Sequence, residues 1–176
     1  VVNGGIIQDY GSNARLGDGD WMIVEADESD GTLIEIPSTI SVVTNLDPEH
    51  LDHYGTFTAL KKTFLEFLNS IPFYGVAICF IDHPEVKKLI SKVKDRNVLT
   101  YGYSSQADFQ IKNLDYKKNK AFFQIYKKQN GENFKFELPM YGDHNVANAA
   151  AAITVALYLK IPIEKIKKGL KNFKGV

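Results

Sequence analysis

Residues 39–81 read TISVVTNLDPEHLDHYGTFTALKKTFLEFLNSIPFYGVAICFI. The stretch opens on a β-branched apolar run, TISVVTN (39–45), which gives way to a polar loop, LDPEHLDHYG. FTALKKTFLEFLNSI (57–71) then sets Phe57, Leu60, Phe64, Phe67, Leu68 and Ile71 on one broad face, with Lys61, Lys62 and Glu66 elsewhere. That is the spacing of an amphipathic helix, and Thr56 stands where an N-cap belongs. GVAICFI (75–81) follows as a second apolar run without alternation, the pattern of a strand covered on both faces. Strand, helix and strand in this order predict a parallel sheet with helices packed on it.

The same alternation extends outward. Upstream, WMIVEAD (21–27) is an apolar run of strand length that ends abruptly in acids. Downstream, HPEVKKLISKV (83–93) reads as a helix with Pro84 in its first turn, and NVLTYG (97–102) as a further strand. Residues 107–116, 120–128 and 132–138 change character and alternate polar with apolar side chains. With the QNG turn at 129–131, they predict an antiparallel hairpin and a third strand, each with one wet face. Two helices complete the chain, HNVANAAAAITVALYL (144–159) and IPIEKIKKGLKNF (161–173), the second with Pro162 near its start. The first twenty residues are glycine-rich and read as a short strand and loops. The expected fold is α/β: a mainly parallel sheet flanked by helices, with a small antiparallel three-stranded sheet beside it. Trp21, Cys79 and the Phe and Tyr residues read most simply as core.

Composition narrows the function classes. The 176 residues are 44% hydrophobic and 24% charged, the balance of a globular chain. Lys plus Arg (21) equals Asp plus Glu (21), so no chain-wide basic field for nucleic acid exists. One cysteine excludes an internal disulfide framework and a thiolate metal cluster, and fits a reducing compartment. No apolar run approaches the ~20 residues that span a bilayer. VVNGGIIQDYGSN at the N-terminus has neither a basic n-region nor an initiator Met, so a piece of a longer protein is expected. Lys165, Lys167, Lys168, Lys171 and Lys174 near the C-terminus read as a solvated helix face.

In parallel sheets ligands bind beyond the carboxyl ends of the strands. WMIVEAD delivers Glu25, Asp27, Glu28 and Asp30 to such an end, and TISVVTN delivers Asn45, Asp47, Glu49, His50, Asp52 and His53. If the two strands are parallel neighbours, these acids share one rim, a costly arrangement unless a cation compensates it. Hard oxygen donors in that number suit Mg²⁺ with phosphate; solvated loop acids are the plain alternative. His50 and His53 alone do not complete a zinc set. Asp143 is placed to cap the alanine-rich helix. His144, Asn145 and Asn148 follow, the two asparagines three apart on one face and able to read a base edge; capping and packing are the plain alternative. No GxxxxGK[ST] phosphate loop occurs in the sequence.

Six segments carry a resemblance: VNGGII with SNARLG (2–17), EADESDGT (25–32), VVTNLDPEHLDHYG (42–55), FLNSIPFYG (67–75), TYGYS (100–104) and GDHNVANAAAA (142–152). In order and spacing the chain resembles the central domain of the Mur ligases, and among them most closely the alanine-adding member. The resemblance implies an ATP-dependent ligase that joins UDP-N-acetylmuramate to L-alanine through an acyl phosphate, in cytoplasmic peptidoglycan precursor synthesis, with Mg²⁺. It implies Glu25 and His50 as metal ligands and His144, Asn145 and Asn148 as adenine contacts. It also implies that residues 1–176 form one central domain that lacks its N-terminal phosphate-loop strand and helix. Domains on either side would complete the enzyme, so this piece alone is expected to be inactive. Neither nucleic acid nor membrane is an expected partner. The alternatives are a murein-peptide-recycling ligase of the same superfamily, a stand-alone metal-dependent hydrolase using Glu25, His50, Asp52 and His53, and a non-catalytic binding module.

Overall fold

The computed structural model describes residues 1–9, 11–29 and 31–173; Asp30 and Lys174 of the sequence reading lie outside them. The strands and helices in chain order are β1 (Val2–Ile7), β2 (Ser12–Ala14), β3 (Ile40–Val43), α1 (Leu51–Tyr54), α2 (Phe57–Ser70), β4 (Val76–Phe80), α3 (Pro84–Ile90), β5 (Val98–Gly102), β6 (Phe109–Lys117), β7 (Lys120–Lys127), β8 (Glu132–Leu138), α4 (Asp143–Tyr158) and α5 (Ile163–Asn172). A 3-10 turn spans Thr32–Glu35.

β3 to β8 form one six-stranded sheet in sequence order. β3, β4, β5 and β6 run parallel, whereas β6, β7 and β8 are antiparallel. The alternating strands, expected as a small sheet beside the parallel one, therefore continue it. The splice is short: Tyr101 pairs with Phe109 and Gly102 with Gln110. Beyond Gln110, β6 runs on past the carboxyl end of β5 by roughly 20 Å, at ~3.3 Å per residue. Its turn into β7 uses Lys118 and Asn119, both with positive φ (51° and 60°), as a two-residue hairpin turn requires.

Strand alternation sorts the core into two layers. Val76 and Ile78 of β4 face α4 and α5, together with Tyr101, Phe109, Ile111, Phe123, Ile125, Phe136 and Leu138. Ala77 and Cys79 face the other way, onto Leu60, Phe64, Phe67 and Leu68 of α2 and Val86 and Leu89 of α3. Thr56 caps α2, its hydroxyl accepting the Ala59 N–H at 3.2 Å. The small side chains Ala147, Ala149, Ala150 and Ala151 let α4 lie close on the sheet. Among the described residues no helix is long and apolar enough to cross a membrane.

One expected strand is not part of this sheet. Residues 21–27 form no neighbour to β3; among the described residues their backbone pairing with a strand is a single parallel bridge between Val2 and Val24, flanked by Val2 N–H to Ile23 O and Glu25 N–H to Val2 O. An apolar run is buried only when a sheet and a covering layer both receive it, and here neither does. Trp21 is 55% exposed, Met22 70% and Ile23 64%, so Trp21 is not a core residue.

Candidate functional site

The loop after β3 is organised by its own polar side chains. Thr44 Oγ1 donates to Asn45 Oδ1 (2.8 Å), and Asn45 Nδ2 donates to Asp47 Oδ2 (3.0 Å). His83, at the carboxyl end of β4, reaches across: its Nε2 lies 3.2 Å from Asp47 Oδ1. The other ring nitrogen, Nδ1, accepts the Val86 N–H at the start of α3. Nδ1 is therefore the unprotonated nitrogen, and Nε2–H donates to Asp47. The Asn45 amide first, and His83 second, hold the Asp47 carboxyl below the usual carboxylate range. A depressed carboxyl contributes stability above its unfolded pKa, and that contribution is lost as pH falls through the folded value. The stability difference between wild type and Asp47→Asn is expected to be largest near neutral pH and to close below pH ~4. Thermal melts from pH 7 to pH 3 check this; a difference independent of pH would refute it. The side chain is 46% exposed, so the gap stays within about 1 kcal/mol.

Next to this loop lies a group with the donor chemistry of a metal site. One ligand atom each from Glu28, Glu49 and His50 fall within 4.8 Å of one another. His50 Nε2 is 3.8 Å from Glu28 Oε1. Tyr54 O–H donates to the Glu28 carbonyl and fixes that residue against α1. His50 itself has left-handed backbone (φ 52°) where the chain turns into α1. Such a conformation is uncommon for a side-chain-bearing residue and is held only by its surroundings. A cavity of about 100 Å³ adjoins the group, lined by Glu28, Asp47 and Glu49 and by Leu60, Phe64 and Phe67 of α2.

Glu25, paired with His50 in the sequence reading, is not in that group. Its Oε2 accepts the Gly4 N–H at 2.6 Å, so β1 holds it. It lies three residues from Glu28, within about 11 Å along the chain. Asp27 accepts its own loop's Ser29 N–H (2.8 Å), and His53 sets its ring edge-on to Tyr54. Two carboxylates and one imidazole form an anionic, oxygen-rich donor set that fits a divalent cation.

The opening of α4 faces the same sheet edge. Gly142 (φ 109°) occupies the N-cap position and Asp143 is the first helical residue, so Asp143 is not the cap. Its carboxylate is already engaged: Tyr116 O–H donates to Asp143 Oδ1. Tyr103 O–H donates to the Asp143 carbonyl (3.0 Å). Asn145 Nδ2 donates back to the Tyr141 carbonyl (2.8 Å). His144 and Asn148 are exposed, and the Asn148 amide has no hydrogen-bond partner among the described residues.

Asp82, His83 and Tyr103 were not singled out in the sequence. Asp82 accepts the backbone N–H groups of Tyr103 and Ser104 and so ties the end of β4 to the end of β5. Gly102 (φ 154°) leaves the room for it, since a Cβ there would collide with the Asp82 carboxylate. The signal was present: GVAICFI is followed at once by Asp82 and His83, at the carboxyl end of a buried strand.

The sequence matches the Mur ligase middle domain over residues 8–156. It is 54% identical over 177 residues to the UDP-N-acetylmuramate–L-alanine ligase of Roseobacter denitrificans, covering 100% of this chain and 38% of that protein. The chain thus spans under two-fifths of that relative's length. In fold it is similar to the UDP-N-acetylmuramate:L-alanyl-γ-D-glutamyl-meso-diaminopimelate ligase of Neisseria meningitides (TM-score 0.84, 20% identity, 99% of this chain and 57% of that one). It is also similar in fold to the UDP-N-acetylmuramate–alanine ligase of Thermotoga maritima (TM-score 0.82, 22% identity, 99% and 38%). A match that takes in most of the chain, on a sheet whose carboxyl edge gathers acids, imidazoles and an asparagine-bearing helix start, has one conclusion: the chain belongs to the Mur ligase family, as its middle domain.

Proposed function

We propose that this chain is the central, nucleotide- and metal-handling part of a cytoplasmic ATP-dependent ligase that joins L-alanine to UDP-N-acetylmuramate in peptidoglycan precursor synthesis. The observation that carries the reading is the grouping of Glu28, Glu49 and His50 at the carboxyl edge of the parallel strands. The 54% identity along the whole chain to an alanine-adding ligase favours that substrate over a recycled peptide. On this reading His50, with Glu28 and Glu49 beside it and Glu25 on the adjoining segment, would hold Mg²⁺. That ion, when bound, neutralises charge on the transferring phosphoryl group.

The remaining residues bind and orient. Asn148 presents a free amide, able both to donate to and to accept from a purine edge, with His144 and Asn145 one turn earlier. Asp47, held by Asn45 and His83, fixes the loop that carries Glu49 and His50. The substrate carboxylate would attack the γ-phosphate of ATP with release of ADP, and the alanine amine would then attack the acyl carbon of the acyl phosphate, form the amide, lose a proton and release inorganic phosphate. Segments of the longer protein would supply the phosphate cradle and the other substrate contacts. The deciding experiment gives the intact protein UDP-N-acetylmuramate, ATP and Mg²⁺ with either free L-alanine or the murein tripeptide. Product is expected from L-alanine; product from the tripeptide alone would assign the recycling ligase instead.

A further inference from the structure

The start of α4 has an unusual attachment. Its N-cap is a glycine with no side chain to bond the first-turn N–H groups, and φ 109° at Gly142 is a backbone conformation that favours glycine, whose missing Cβ leaves the joint few steric restraints of its own. Two tyrosines from the sheet restrain what that glycine leaves free. Tyr103, just past β5, holds the Asp143 carbonyl, and Tyr116, on the part of β6 that runs beyond the parallel edge, holds the Asp143 carboxylate. Tyr116 touches the joint a second time, its ring 4.4 Å from that of Tyr141. The Tyr141 carbonyl in turn fixes the Asn145 amide. Both residues flanking Gly142 are thus gripped by one side chain. Desolvation first, and the Asp143 carboxylate second, push the Tyr116 hydroxyl above its ordinary range, so it remains a donor throughout the neutral region. Burial likewise pushes Tyr103 up to about 12.

We propose that Tyr116, acting through Asp143 and Tyr141, is a positioning residue for nucleotide binding: it sets the angle at which α4 offers His144, Asn145 and Asn148 to the base. Tyr103 assists from the other side. The inference rests on the reading of α4 as the base-binding element, and it adds Tyr116 of β6 and Tyr103 past β5, whose hydroxyls are spent on Asp143. Its consequence is a defect in ATP binding without one in chemistry.

The test is steady-state kinetics on the intact ligase. Tyr116→Phe keeps the ring and removes the hydroxyl; KM for ATP is expected to rise roughly fivefold, the loss of one charge-assisted hydrogen bond partly transmitted. kcat should stay within about twofold and the melting temperature nearly unchanged. Asp143→Asn retains an acceptor without the charge and should fall between wild type and Tyr116→Phe, whereas Asp143→Ala should match Tyr116→Phe. The double variant Tyr116→Phe/Asp143→Ala should be no worse than either alone. Asn148→Ala reports on the underlying reading. If it raises KM while Tyr116→Phe does not, the positioning role is overturned and the base-binding reading stands. If Asn148→Ala leaves KM unaltered, the base-binding reading falls and takes the positioning role with it. A Tyr116→Phe variant whose kcat, KM and melting temperature all deteriorate together would show a structural role only, and would also overturn the proposal.

Discussion

His50→Ala in the intact ligase is expected to lower kcat by at least about a hundredfold and to weaken Mn²⁺ binding, read by electron paramagnetic resonance, by roughly ten- to a hundredfold. The reason is the donor set. One ligand atom each of Glu28 and Glu49 lies within 4.8 Å of the imidazole's, and without it the proposed cation would have one fewer ligand. Alanine brings a second defect, because residue 50 has left-handed backbone that alanine adopts poorly. His50→Asn separates the two. Asparagine tolerates that conformation but supplies no imidazole, so the chain should fold as wild type and still lose turnover and metal. Glu25→Gln and Glu28→Gln, compared side by side in the same titration, show which acid shares the ion. Unchanged Mn²⁺ affinity in His50→Asn would remove the metal assignment.

Phe123→Ala is expected to destabilise the chain by about 3–5 kcal/mol, measured by urea unfolding. Phe123 is 2% exposed on β7 and packs against Phe136, their ring centroids 5.9 Å apart. Its neighbours come from backbone-paired strands that cannot collapse into the space left. Trp21→Ala removes a larger side chain, yet should change stability by no more than ~0.5 kcal/mol, because that ring is already 55% in water. A loss at Trp21 equal to that at Phe123 would mean that residues 21–24 are packed on the sheet in solution.

The contrast between these two aromatics marks what the sequence reveals. β4 was legible because its apolar run has partners on both sides, β3 and β5, and a helical layer on each face. WMIVEAD opens on an equally apolar run of four residues and lacks those neighbours, and apolarity alone does not say whether neighbours exist. The period-2 pattern gave the antiparallel strands but not their attachment, which rests on two residue pairs, Tyr101 with Phe109 and Gly102 with Gln110. Around the candidate site, the polar loop after β3 and the start of α4 were legible as elements from pattern and position. The partners of their residues were not. Glu28 rather than Glu25 meets His50, and Asp143 bonds Tyr116 rather than the helix it opens. Which of several equivalent acids turns inward depends on backbone contacts far along the chain, such as Gly4 with Glu25.

The joining of both strand directions at β6 limits how this fold can diverge. Were β6 to β8 excised, α5 would lose the strand it lies on and Ile166 would face water, so those strands are no detachable accessory. Changes in length are tolerated instead at the two hairpin tips, residues 118–119 and 129–131, where insertions leave the ladder and the helix above it undisturbed.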